Sequence, residues 1–116
     1  MSDTNAQKHV FPLRVYYEDT DAGGIVYYAN YLRFAERART EYLRSVGADH
    51  RSLMEQEDVY FTVRQCLVDY LKPAFLDDAL EVHSCFFDVR GASLQAEQVV
   101  CREESELARM NIQLAC

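Results

Sequence analysis

Between residues 16 and 30 the chain reads Y-Y-E-D-T-D-A-G-G-I-V-Y-Y-A-N, the segment best suited to chemistry. Glu18, Asp19 and Asp21 cluster their carboxylates just before the paired glycines Gly23 and Gly24. Glycine adopts backbone conformations that other residues resist and lets the chain approach a ligand closely. From about Tyr28 the pattern becomes helical, so the glycines lead into a helix start. The first N–H groups of a helix have no partner within it, and the helix dipole favours negative charge there. Such donors stabilise the oxyanion formed when a carbonyl is attacked. A carboxylate beside them serves as nucleophile or general base. The combination suits acyl transfer. An acidic loop that only caps a helix presents the same residues, because Asp near a helix start is common for capping alone. The pattern by itself leaves both readings open.

The elements around this segment must hold it in place. Residues 10–17 alternate, with Phe11, Leu13, Val15 and Tyr17 on one face, which predicts a strand with Pro12 near its start. Tyr31, Phe34, Ala35, Ala38, Tyr42 and Val46 recur at three- and four-residue steps and predict an amphipathic helix ended by Gly47. Glu41 with Arg37, and Glu36 with Arg33, are spaced to pair on its surface. A short second helix is expected over 50–56. Strands follow at 59–71, 80–90, 94–102 and 108–116, separated by Lys72-Pro73, Gly91-Ala92 and an acidic turn at 103–106. Short turns between them imply antiparallel pairing. A sheet with one apolar face must cover it, and the helix beginning near Tyr28 is the long amphipathic element available. The predicted class is α+β, one domain over 1–116, with a long central helix wrapped by a curved antiparallel sheet. Cys116 falls inside the last predicted strand with no polar tail after it, so a natural product longer than this chain is expected.

Composition narrows the function classes. At 116 residues the chain suits one domain, and a net charge of -7 argues against a protein that grips nucleic acid. Cys66, Cys85, Cys101 and Cys116 are widely spaced, as are His9, His50 and His83, which disfavours a metal site or a disulfide framework. The cysteines read as small apolar residues in a reducing compartment. The N-terminus lacks the basic start and apolar core of a signal peptide, and no run is long enough to cross a bilayer, so a cytoplasmic protein is expected.

Residues 14–44 resemble the 4-hydroxybenzoyl-CoA thioesterase family, and most closely its bacterial branch, the Tol–Pal-associated acyl-CoA thioesterases. The motifs D-T-D-A-G-G-I-V-Y and N-Y-L-R-F-x-E-R-A-R-T-E carry the likeness. V-R-Q-C-L-V-D-Y-L-K-P-A, Leu76-Asp77-Asp78 and Arg90-Gly91-Ala92-Ser93-Leu94 extend it over nearly the whole chain. The resemblance implies the hot-dog fold and hydrolysis of an acyl-CoA to a carboxylic acid and coenzyme A. It implies that Asp21 is the nucleophile or general base, and that the backbone N–H groups of Tyr28 and Ala29 polarise the thioester carbonyl. Asp19, with Gly23 and Gly24, would support the loop. Arg90 and Ser93 would contact coenzyme A, Arg90 through a phosphate.

No metal or redox cofactor is implied, coenzyme A being part of the substrate. Relatives pair subunits edge to edge, so a homodimer or homotetramer is expected. Acyl carrier protein and Tol–Pal or lipid-synthesis proteins are the partners the resemblance suggests. One departure stands out: the branch usually carries V-Y-H where this chain has Val26-Tyr27-Tyr28. Tyr28 cannot take a proton near neutral pH as histidine does, so a role through its backbone is expected. Two other readings stay open, a hydratase or dehydratase on a similar fold and a non-catalytic module that binds acyl-CoA or acyl carrier protein.

Overall fold

The computed structural model describes residues 7–45, 62–90 and 93–115. Strand β1 (Gln7–Arg14) leads through a short 3-10 turn (Tyr17–Asp19) to helix α1 (Asn30–Ser45). Strands β2 (Thr62–Tyr70), β3 (Ala79–Arg90), β4 (Ser93–Arg102) and β5 (Ser105–Ala115) follow. They form one sheet in the order β1-β3-β4-β5-β2, with every neighbouring pair antiparallel. The helix expected over 50–56 lies outside the described residues.

The helix and the last strand follow their periodicity. Tyr31, Phe34, Ala35 and Ala38 of α1 are buried, and they meet Leu80, Val82 and Phe86 of β3 and Ala96 and Val100 of β4 in one core. Ala108, Met110, Ile112 and Leu114 of β5 join them, while Arg109 turns to the other face and pairs with Glu97 and Glu106. Each fully buried large side chain contributes about 1.5–3 kcal/mol of transfer free energy. On the helix surface Glu41 pairs with Arg44 rather than with Arg37, whose guanidinium lies over the Phe34 ring.

One boundary and one pairing beside the loop differ from the pattern. The first strand ends at Arg14, and Tyr17, expected to face inward, is 82% exposed. The reason is local: the Asp19 carboxylate takes the Tyr16 N–H and winds residues 17–19 into a turn. The second difference is in pairing. β2 and β3 are consecutive but not neighbours, since β2 pairs with β5 and β3 with β1. The link over 71–78 instead crosses beneath the helix start. The N–H groups of Leu71 and Lys72 donate to the Leu107 carbonyl, and Arg102 donates to the Pro73 carbonyl and Asp78 carboxylate.

Polar side chains also sit inside the core. Gln98 of β4 is fully buried, and its Nε2 donates to the Ala35 carbonyl and to Ser84 Oγ, both at 2.9 Å. Its Oε1 accepts from Arg39 Nη1 at 2.9 Å. Burial pushes the Arg39 guanidinium below its ordinary value, against the opposing influence of Glu36 and Cys66. A buried donor without an acceptor costs far more than a made bond gains. Gln98→Leu, similar in size, is therefore expected to lower stability by about 2–3 kcal/mol. A fall in the urea midpoint at constant slope checks it; an unchanged midpoint contradicts it.

Candidate active site

The loop between β1 and α1 is built on Asp19. This carboxylate is buried, 2% exposed. Its Oδ2 accepts the Tyr16 N–H and its Oδ1 accepts Asn30 Nδ2, each at 2.9 Å. Its backbone carbonyl accepts the Tyr27 N–H at 2.9 Å. One residue thus ties the turn before the loop to the first residue of α1. Charge-assisted bonds of this kind are short and strong.

Asp21 stands above this staple, exposed. Its N–H donates to the Ile25 carbonyl at 2.9 Å and its carbonyl accepts the Gly24 N–H at 3.0 Å, closing a tight turn. Gly24 has φ +82, a conformation that side chains resist. Asp21 Oδ1 accepts the Gly23 N–H at 2.8 Å, which orients the carboxylate. Oδ2 accepts no hydrogen bond among the described residues. A Cβ on Gly23 would lie 3.2 Å from Asp21 Oδ1, so a side chain there moves the carboxylate by a few tenths of an ångström. Gly23→Ala is expected to keep the fold and lower kcat about tenfold, since misplacement by 1 Å costs roughly a hundredfold. Steady-state kinetics beside a thermal melt separates the two effects.

The helix start lies a few residues on. The Asn30 N–H donates to the Tyr27 carbonyl and the Leu32 N–H to the Ala29 carbonyl. Among the described residues the N–H groups of Tyr28 and Ala29 have no hydrogen-bond partner. Helix α1 therefore begins at Asn30, two residues after the expected start, and Tyr28 and Ala29 form the turn that leads into it. The Tyr28 ring is 61% exposed and meets the Tyr70 ring edge-on at 6.0 Å. Tyr70 also approaches Tyr31 at 5.7 Å. These tyrosines, with Ile25, Leu71 and Pro73, wall an open cleft between the helix start and the end of β2. From below, the 71–78 link braces it: Val26 N–H donates to the Ala74 carbonyl, and Ala74 N–H to the Tyr31 hydroxyl.

A second cavity lies toward the other end of α1, on the same β2 side. Leu43, Val63, Phe86, Leu94 and Leu114 line it, with Glu36 and Arg39 at its polar margin.

The loop and helix start bring Asp19, Asp21, Gly23, Gly24, Tyr28 and Ala29 together. They do not bring Arg90 and Ser93 to the same place. The Arg90 side chain, Gly91 and Ala92 lie outside the described residues. The backbone pairs Arg90 with Ser93, and Ser93 with Ala115, at the far end of β3 from Ala79. Ala79 pairs with Arg14, where the loop begins. At about 3.3 Å per residue that separation is on the order of 35 Å. The sequence reading missed Asn30 and Tyr70. Asn at a helix start is a recognisable cap signal, but nothing local marks Tyr70, whose partners are remote in sequence.

A model of the thioesterase superfamily matches residues 23–109. The chain is 46% identical over 106 residues to the acyl-CoA thioesterase YbgC of Haemophilus influenzae, covering 91% of this chain and 78% of that one. It is 50% identical over 97 residues to the acyl-CoA thioester hydrolase YbgC of Escherichia coli, covering 84% and 72%. Among solved structures, one from Bartonella henselae named Probable Thioesterase superposes with a TM-score of 0.90 at 34% identity, covering 94% of this chain and 90% of that one.

Proposed function

Because the chain belongs to the thioesterase superfamily, we propose that it hydrolyses acyl-CoA thioesters to a carboxylic acid and coenzyme A, with Asp21 as the reacting carboxylate. The observation that carries the site is one exposed carboxylate, oriented by the Gly23 N–H, beside a helix start with two amides unpaired among the described residues. The Tyr28 and Ala29 N–H groups would hold the thioester oxygen and the negative charge that develops on it. Asp21 Oδ2, which accepts no hydrogen bond among the described residues, then acts by one of two routes. In the covalent route it attacks the carbonyl carbon, expels the coenzyme A thiolate and leaves an anhydride that water cleaves. In the general-base route it takes a proton from the attacking water and passes it to the departing thiolate. Neither route requires a metal or redox cofactor. Tyr28 serves through its backbone, so the tyrosine in place of histidine is compatible with both.

The active form is proposed to be a dimer joined along β2, or a tetramer built from such dimers. β2 is an edge strand, with Val63 and Leu67 50% and 62% exposed. An unpaired apolar edge invites another strand. Two-fold antiparallel pairing would set the Thr62 end of one β2 beside the Tyr70 end of the other. Thr62 pairs with Ala115, and Ala115 with Ser93. One copy's Arg90 and Ser93 are thereby carried toward the other copy's Asp21 loop. That supports a site shared between subunits, with Arg90 receiving a phosphate of coenzyme A. Among the described residues no helix is long and apolar enough to cross a membrane; the proposed compartment is the cytoplasm. Acyl carrier protein and Tol–Pal or lipid-synthesis proteins remain the proposed partners.

The test is release of free thiol from a panel of short, long and aromatic acyl-CoAs. Turnover of at least one supports the reading. Binding without turnover across the panel, by correctly folded protein, would assign the chain a carrier or binding role instead.

A further inference from the structure

The peptide joining Tyr28 to Ala29 carries both an unpaired N–H and a bound carbonyl. Its N–H belongs to Ala29 and has no hydrogen-bond partner among the described residues. Its C=O belongs to Tyr28 and accepts the Tyr70 hydroxyl at 3.1 Å. The two ends lie in one rigid plane and point in opposite directions. A donor on the carbonyl oxygen draws electron density toward that end and makes the N–H at the other end a stronger donor. Hydrogen bonds in a chain polarise one another in this way. We propose that Tyr70 is a positioning residue for the thioesterase reaction, aiming and polarising the Ala29 N–H toward the substrate carbonyl.

Three features favour this role over simple packing. The hydroxyl comes from β2, a different element from the loop, so it fixes the peptide from outside. The ring lies edge-on against Tyr28 and Tyr31, at 6.0 and 5.7 Å, which sets the direction of the hydroxyl. Burial, with Cys66, Tyr28 and Tyr31 nearby, pushes the Tyr70 phenol up, so it stays a donor well into alkaline conditions. Tyr70 also lies at the end of the edge strand proposed to pair with a second copy. The hydrogen bond therefore connects that interface to the carbonyl-binding peptide.

This inference rests on the proposed role of the helix-start amides, and its test has two arms. Tyr70→Phe keeps the ring and removes only the hydroxyl. Removing an oxyanion donor outright costs roughly a hundred- to a thousandfold, so losing its polarisation should lower kcat about tenfold. KM should hold, and the loss should be equal for short and long acyl groups. An unchanged urea midpoint for Tyr70→Phe is the control for general loosening. The second arm is the backbone 15N–1H spectrum, in which the Ala29 amide should shift in Tyr70→Phe while those of Phe34 and Ala38 stay. Both changes together support the proposal. An unmoved Ala29 amide overturns the Tyr70 role alone. A moved amide with unchanged kcat shows that this peptide does not serve the carbonyl, and overturns the amide reading beneath it. A raised KM at constant kcat would reduce Tyr70 to a substrate contact.

Discussion

Asp21→Asn is expected to lower thioester hydrolysis about a thousandfold while leaving the protein folded and able to bind acyl-CoA. The amide oxygen of asparagine can accept the Gly23 N–H in place of Oδ1, which holds the carboxylate now at 2.8 Å. The loop also keeps its two backbone bonds, Asp21 N–H to Ile25 and Gly24 N–H to Asp21. What disappears is the negative charge and the basic oxygen. A positioned general base contributes about a hundred- to ten-thousandfold, so turnover should fall about a thousandfold. Because Asp21 is exposed and makes no ion pair among the described residues, the urea midpoint should change little. Stopped-flow thiol release and calorimetric titration with a product or slow substrate separate the outcomes. Retained turnover would remove Asp21 from the chemistry. Turnover lost together with binding would make it a ligand contact.

Leu67→Lys is expected to convert the proposed dimer to monomers and to reduce turnover at least tenfold. Leu67 lies near the middle of β2 and is 62% exposed in a single chain. A two-fold axis through the centre of the strand would bring it close to its own copy. Like charges directly opposed across a strand pair are destabilising, and lysine is a common device for keeping edges apart. The folded monomer should survive, since the side chain leaves little apolar area in the core. Sedimentation at several concentrations reads the assembly, and thiol release on the same samples reads the activity. A monomeric variant of full activity would place the whole site within one chain. A variant that still dimerises would move the interface away from β2.

What could be read before the structure was known depended on how far each residue's partners lie along the chain. Helix α1 and the inward row of β5 rest on periodicity within one segment, and over the described residues both follow it, the helix from Asn30 onward. The loop at Asp21 was legible for a similar reason, because carboxylates and glycines in succession imply a turn. Pairing was less so. Nothing near β2 signals that its register partner is β5, reached only after two further strands have formed. The end of β1 was misjudged because alternation continues through Tyr17 in sequence, while the Asp19 carboxylate diverts the backbone at Tyr16. Arg39 and Gln98 are separated by 59 residues, and neither polar side chain looks like a core residue on its own. Tyr70 is the same case at the site, 42 residues from the carbonyl it binds.

The placement of α1 over the sheet has a consequence for how this protein can diversify. The helix rests chiefly on β1, β3 and β4. Both the cleft at its start and the cavity near its end open on the β2 side. β2 and the link after it therefore supply wall residues, Val63 and Leu71, that the core does not use. Substitutions at Leu43, Val63 or Leu71 alter the shape offered to an acyl group without touching Phe34, Val82 or Met110, which are fully buried. Phe86 and Leu114 line the cavity and also belong to the core, so they tie part of its shape to stability, whereas Leu43, Val63 and Leu71 can change with less cost to the scaffold.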